Sequence, residues 1–238
     1  FAAQKRGWRG EFHPERSGVM RDLHWFVAAF SLAAVAMFIP RSIVWARYTI
    51  GIVLVMMYFL YILVTVRASS KLVADGHVTE ADQPLYLVRL LGALGFKENW
   101  FTILVQLALG LGGIIYGAHV FVHEVGALSA MLGISALILA VLIVPIATEM
   151  PEKVNSILWI RRRKDTLAFG NLTGAMVFQG TLLPAIGIML TPWDLRPAVL
   201  VGVALTLMST IYLTVMFRRG VLRPIHLLLN GACYFAYI

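Results

Sequence analysis

The sequence predicts an all-α fold, a polytopic membrane bundle of about seven transmembrane helices, on three observations. First, 60% of the 238 residues are hydrophobic and only 13% are charged, where soluble domains carry about 25% charge. Second, seven apolar stretches recur, roughly 23–39, 48–66, 100–122, 126–160, 166–190, 195–217 and 221–238. Most are near the ~20 residues that a helix needs to cross a bilayer. Third, alternate connections between these stretches hold sixteen Lys and Arg against three, with Lys153 alone inside a span. By the positive-inside rule the N-terminus is cytoplasmic and the C-terminus outside, in a cell (inner or plasma) membrane. The formal charge of +8 then reports topology. Membrane lipid is the expected partner and nucleic acid is not.

The elements follow in chain order. Residues 1–22 form a basic, polar cytoplasmic segment with no apolar core, unlike a signal peptide. The first residue is Phe1, so a processed product or a piece of a longer protein is expected. Residues 23–66 supply two helices joined by a turn with Arg41 and Arg47. The cytoplasmic connection 67–99 contains "EADQPLYLVRLLGALGF", apolar enough to lie on the membrane surface as a connector or a regulatory contact. Span 100–122 ends in "HVFVHE", where His119, His123 and Glu124 lack the H-E-x-x-H order of a metalloprotease and read as interfacial polar residues. Span 126–160 would measure about 50 Å as one straight helix against a core of ~30 Å. Pro145 and Pro151 are the expected break, each freeing a carbonyl four residues earlier, on Val141 and Ala147. The single cysteine, Cys233, excludes an internal disulfide or a cysteine metal cluster. No phosphate loop or dinucleotide fingerprint occurs, so no enzymatic ATP chemistry and no cofactor are expected.

The first two spans resemble the last two. "RDLHWFVAAFSLAAVAMF" opens like "WDLRPAVLVGVALTLMST", and the following helices carry "YFLY" and "YFAY". The pairs face opposite ways, which is chance similarity or an inverted repeat of the kind secondary transporters use, with the site at the repeat interface.

Of twelve acidic residues, ten fall in loops or at span ends; Glu149 and Glu152 do not. Counting ~20 residues back from "RRRK" puts both near the midplane. An ionisable group there costs roughly 2.5–3.5 kcal/mol on insertion scales and is read as functional. Thr148, Glu152 and Ser156 share one helical stripe, with Asn155 beside it. Glu149 and Lys153 form another four-residue pair, as ligand and neighbour or as a buried ion pair. On the next helix Asn171, Ala175 and Gln179 are four apart, and Gly170 and Gly174 form a close-packing seam. Asn171 is packing glue or an amide oxygen for an ion.

"ATEMPEKVNS", the basic turn and "DTLAFGNLTGAMVF" resemble the α-repeat of the sodium/calcium exchanger family of cation antiporters. The match rests on Thr148, Pro151, Glu152, Ser156, Gly170, Asn171 and Gly174. The resemblance implies a ten-helix fold of two inverted halves. Residues 23–66 are then the last two helices of the first repeat and 100–238 the second five-helix repeat, with its α-repeat at about 141–180. The missing first α-repeat half of the same protein would be a partner in the site. The resemblance also implies Glu152, Asn171 and Thr148 as metal ligands, within an ion-binding set that includes Glu149, Ser156 and Asn155. Ala147, Glu149, Ala175 and Met176 depart from the family pattern, as does Lys153 beside the site. These departures point to selectivity retuned toward protons, sodium or another cation. The expected function is antiport of Ca2+ against Na+ or H+ by alternating access, these ions being transported ligands. A non-transporting scaffold and an ion channel are the alternatives.

Overall fold

A computed structural model describes residues 12–74, 85–91, 97–133, 149–220 and 222–237. Among them every regular element is a helix: α1 (Arg16–Ala36), α2 (Val44–Ala74), α3 (Tyr86–Leu91), α4 (Trp100–Leu132), α5 (Met150–Arg161), α6 (Asp165–Leu190), α7 (Pro197–Arg218) and α8 (Pro224–Tyr237). Five of the described helices contain stretches long and apolar enough to cross a membrane: Arg16–Ala36, Val44–Ser70, Trp100–Leu132, Asp165–Leu190 and Val199–Arg218. The chain is an integral membrane protein of the all-α class. Contacts divide it into two units, Phe1–Lys71 with Pro151–Ile238, and Leu72–Met150.

In the first unit, Glu15 sets where α1 begins. Its carboxylate accepts the backbone N–H of Ser17 at 2.7 Å and of Gly18 at 2.6 Å, groups that have no acceptor inside the helix. Helix α1 therefore starts seven residues before the stretch that hydropathy alone marks. Its buried face carries Val19, Asp22, Leu23, Phe26, Ala29, Ala33 and Ala36, the three-and-four spacing of one helical stripe. It packs on α6 and α7. Along α1 the core runs in three layers. Phe12, Val19, Leu23, Phe169, Phe217 and Leu222 fill the Arg-rich end. Phe26, Tyr61 and Val177 follow. Ala29, Ala33, Ala36, Leu54, Ala185 and Ile188 close the far end. There the α1–α2 and α6–α7 connections are joined: Arg41 forks onto the Asp194 carboxylate, and Trp193 Nε1 donates to Ala33 O at 3.2 Å. Outward from this core α2 exposes Ile52, Met56, Phe59 and Leu63, and α7 exposes Val201, Met208 and Ile211. Such apolar faces are stable against lipid tails and costly in water.

In the second unit, Asn99 caps α4 by accepting Thr102 N–H at 2.8 Å. Short α3 is tied to α4 by Leu87 N–H donating to Gln106 Oε1 at 3.0 Å. Helix α4 continues to Leu132, past the break that the sequence places after residue 122. His123, Glu124 and Gly126 do not stop a helix. Gly133 does, at φ 66° in the left-handed region that suits glycine. The described parts of the 126–160 stretch thus belong to two different helices, and 134–148 lie outside the described residues. Helix α5 then begins at Met150 with Pro151 in its first turn, where a missing N–H costs nothing. Pro151 opens a helix instead of kinking one.

Candidate functional site

Helices α5 and α6 form an antiparallel hairpin. Its turn closes with Lys164 N–H donating to Trp159 O at 2.9 Å and Arg163 N–H to Ile160 O at 3.0 Å. Arg163 takes the left-handed conformation that ends α5, at φ 60°. The reversal lays Ser156 against Ala168 and brings Asn171 level with Glu152. Asn171 Nδ2 donates to the main-chain oxygen of Glu152 at 3.1 Å and to Ser156 Oγ at 3.2 Å. Ser156 Oγ donates to Ala168 O at 3.3 Å. The polarity is forced: a carbonyl oxygen accepts only, so the amide must present its NH2 group to Glu152. The two amide hydrogens are then spent, and the Asn171 carbonyl oxygen is left outside this network.

Ser156 is 3% exposed, while Glu152 and Asn171 are half-buried. The Glu152 atom Oε2 is buried and has no hydrogen-bond partner. A buried polar atom of this kind is rare enough to require a reason, such as an ion or water that occupies it. Nine residues separate Glu152 from Arg161, about 14 Å of helix at ~1.5 Å per residue, close to half of a ~30 Å core. The donors are a carboxylate, an amide and a hydroxyl. These hard oxygens suit Na+, Ca2+ or a proton better than a thiolate- or imidazole-seeking metal. Among the described residues no group of three or more His, Cys, Asp or Glu could hold a metal.

The hairpin therefore brings together Glu152, Ser156 and Asn171 of the expected set. Asn155 is exposed on α5, and Glu149 is half-buried just before it. Thr148 lies outside the described residues, as do Val141, Pro145 and Ala147.

Two acidic residues outside the expected set are buried, Asp165 at the start of α6 and Asp22. Asp22, counted from the sequence among residues of a polar segment, sits in the second turn of α1 and is 3% exposed. Arg21 donates to its Oδ1 from Nε at 3.1 Å and Nη2 at 3.0 Å. Thr173 Oγ1 donates to its Oδ2 at 2.7 Å. The signal was weak, because the cap is Glu15, which is not one of the Ser, Thr, Asp or Asn residues that usually mark a helix start.

With this geometry in hand, comparison with known proteins is decisive at the level of family. The family described as "Sodium/calcium exchanger protein" matches residues 102–238, more than half of the chain. The chain belongs to the sodium/calcium exchanger family. The match runs from α4 through α8 and contains the whole α5–α6 hairpin. A relative named "Putative antiporter CaxA", from Alkalimonas amylolytica, is 30% identical over 88 residues. That stretch is 37% of this chain and 28% of the relative, so the exchanger-family chain matches well under two thirds of the relative's length. No solved structure matches.

Proposed function

We propose that this chain serves a cation antiporter that exchanges Ca2+ for Na+ or H+ by alternating access, with Glu152 as its principal ligand. The observation that carries the reading is the buried, unpartnered Oε2 of Glu152, a residue whose main-chain oxygen is held by Asn171. In apolar surroundings a carboxylate without a partner is costly. It persists where a passing cation supplies the missing interaction. Asn171 fixes the hairpin through its NH2 group and keeps an oxygen free for the ion. A second α-repeat facing this one would complete the coordination, and Thr148 and Glu149 are the adjacent candidates for further ligands. Counter-ions compete for the same carboxylate, which couples the fluxes. Each ion drives the change of facing only through its different affinity for the two states. The positive-inside rule supports a cytoplasmic position for the end carrying Arg161, Arg162 and Arg163.

A scaffold reading draws on the same Asn171 bonds, which hold α5 to α6 whether or not an ion passes. Substituting Glu152→Gln in the full-length protein separates the two. In proteoliposomes the antiporter loses cation-driven counter-flux while inserting normally; unchanged flux at normal insertion refutes the assignment. Current without counter-transport would identify a channel.

A further inference from the structure

On the far side of α6 from Glu152 lies a polar contact that the transport reading leaves unused. Asn171 and Thr173 are two residues apart, about 200° around the helix at ~100° per residue. Asn171 turns to α5, and Thr173 turns to α1. Thr173 is 7% exposed and Asp22 is 3% exposed. The Thr173 hydroxyl lies 2.7 Å from Asp22 Oδ2 and 2.9 Å from Phe169 O. It has one proton to give, and the charged acceptor is the stronger. Asp22 is not a second cation site: the Arg21 guanidinium already spans its Oδ1. What Asp22 offers is one fixed direction for the Thr173 hydroxyl.

That direction determines how α6 is rotated. A turn of α6 by one residue, about 100°, would break the Thr173–Asp22 bond and carry Asn171 away from Glu152 and Ser156 together. Apolar packing of Phe169 and Val177 opposes such a turn on either side of Thr173, and the hydroxyl bond adds a directional constraint between them, where the neighbours are small. Gly174 leaves room beside Tyr61, whose hydroxyl would sit 3.5 Å from an added Cβ, and Ala175 is small. We propose that Asp22 is a positioning residue for the ion site: through Thr173 it holds α6 in the rotation that aims Asn171 at Glu152. The proposal rests on the antiporter reading of that site.

The test uses the full-length protein in proteoliposomes, with Ca2+ flux measured against Ca2+ concentration. Thr173→Val replaces only the hydroxyl and is the primary variant; Asp22→Ala, which leaves no side-chain acceptor, is the second. Each should raise the half-saturating Ca2+ concentration about 10-fold, the scale on which outer partners of metal ligands act. Maximal flux and membrane amount should stay near wild type, and Thr173→Ser should restore the affinity. The double variant should be no worse than Asp22→Ala alone, because each single change already removes the Thr173–Asp22 bond. A purely structural bond would instead lower amount and maximal flux together at unchanged half-saturation. That result overturns the inference, as does a Thr173→Ser variant as impaired as Thr173→Val. Absence of counter-flux in the wild-type arm would remove the antiporter reading itself and the inference with it.

Discussion

Glu152 and Asp22 are acidic residues each tied to α6, the first from α5 through its main chain and the second from α1 through its carboxylate. Asp22 receives an Arg21 guanidinium on one oxygen and the Thr173 hydroxyl on the other. Glu152 leaves Oε2 buried and unpartnered, and Asn171 bonds its main-chain carbonyl, not its carboxylate. Both groups lie in helices of a membrane protein, where an unpaired charge is expensive. The difference separates two uses of a buried acid. A carboxylate whose bonds are filled by its own protein is a strut. One whose oxygen is left empty has room for something that arrives and departs.

The largest expected effect breaks the comparison at Glu152. Neutralising it with Gln keeps the shape and removes the charge. An interaction with a charged group is worth about 1.5–3 kcal/mol, so the loss in flux at limiting Ca2+ should be on the order of 100-fold. Neutralising Asp22 should cost only the shift in affinity. Equal losses at the two positions would mean that both acids are struts or both are ligands. Asn171→Ala is next in size. It removes the free amide oxygen together with the bonds to Glu152 and Ser156, and should raise the half-saturating Ca2+ concentration about 10- to 100-fold. Flux titrations at matched membrane amounts measure it. An unchanged titration would leave Asn171 as packing alone.

Much of this was legible in the sequence because it depends on local pattern. The four-residue step from Glu152 to Ser156 and the basic turn at Arg161–Lys164 are enough to place Asn171 opposite Glu152 once both strokes of the hairpin are helical. Asp22 was hidden by the boundary, not by its chemistry. A hydropathy window starts the span where apolar residues begin, whereas the helix starts where Glu15 satisfies the free N–H groups. The intervening turn holds Arg21 and Asp22. The end of α4 was hidden for a related reason. Polar His123 and Glu124 interrupt hydropathy without interrupting a helix, and only the left-handed Gly133 does the latter. The contact between Thr173 and Asp22 spans 151 positions of chain, and no periodicity carries information over that distance.

A smaller effect sharpens the Asp22 side, where the comparison depends on a rigid α1–α6 contact. An added Cβ at Gly180 would lie 2.6 Å from Phe26 Cδ2. The ring is part of a buried cluster with Tyr61 and Val177, so it has little room to retreat. Gly180→Ala should destabilise by roughly 1–3 kcal/mol through overpacking, partly offset by the better helix propensity of Ala. Thermal unfolding in detergent reads the loss. If the two helices are pushed apart, the Thr173 bond lengthens and Ca2+ affinity falls along with stability.

The smallest effect concerns Glu15, the cap that places Asp22 inside a helix at all. Partial burial pushes its carboxyl up, but hydrogen bonds from Ser17 and Gly18 and the nearby Arg21 charge outweigh that and hold it below its ordinary value. A carboxyl depressed in the folded state stabilises it above the unfolded value, about 4.3. The contribution is lost as pH falls through the folded value. Glu15→Gln should therefore unfold at a slightly lower temperature than wild type at pH 7, with the gap closing on acidification below about pH 4. The group is partly solvated, which screens its interactions, so the gap is small. A gap independent of pH would mean that the side chain caps through shape alone, and that the charge at the start of α1 does nothing to fix where Asp22 begins its reach toward Thr173.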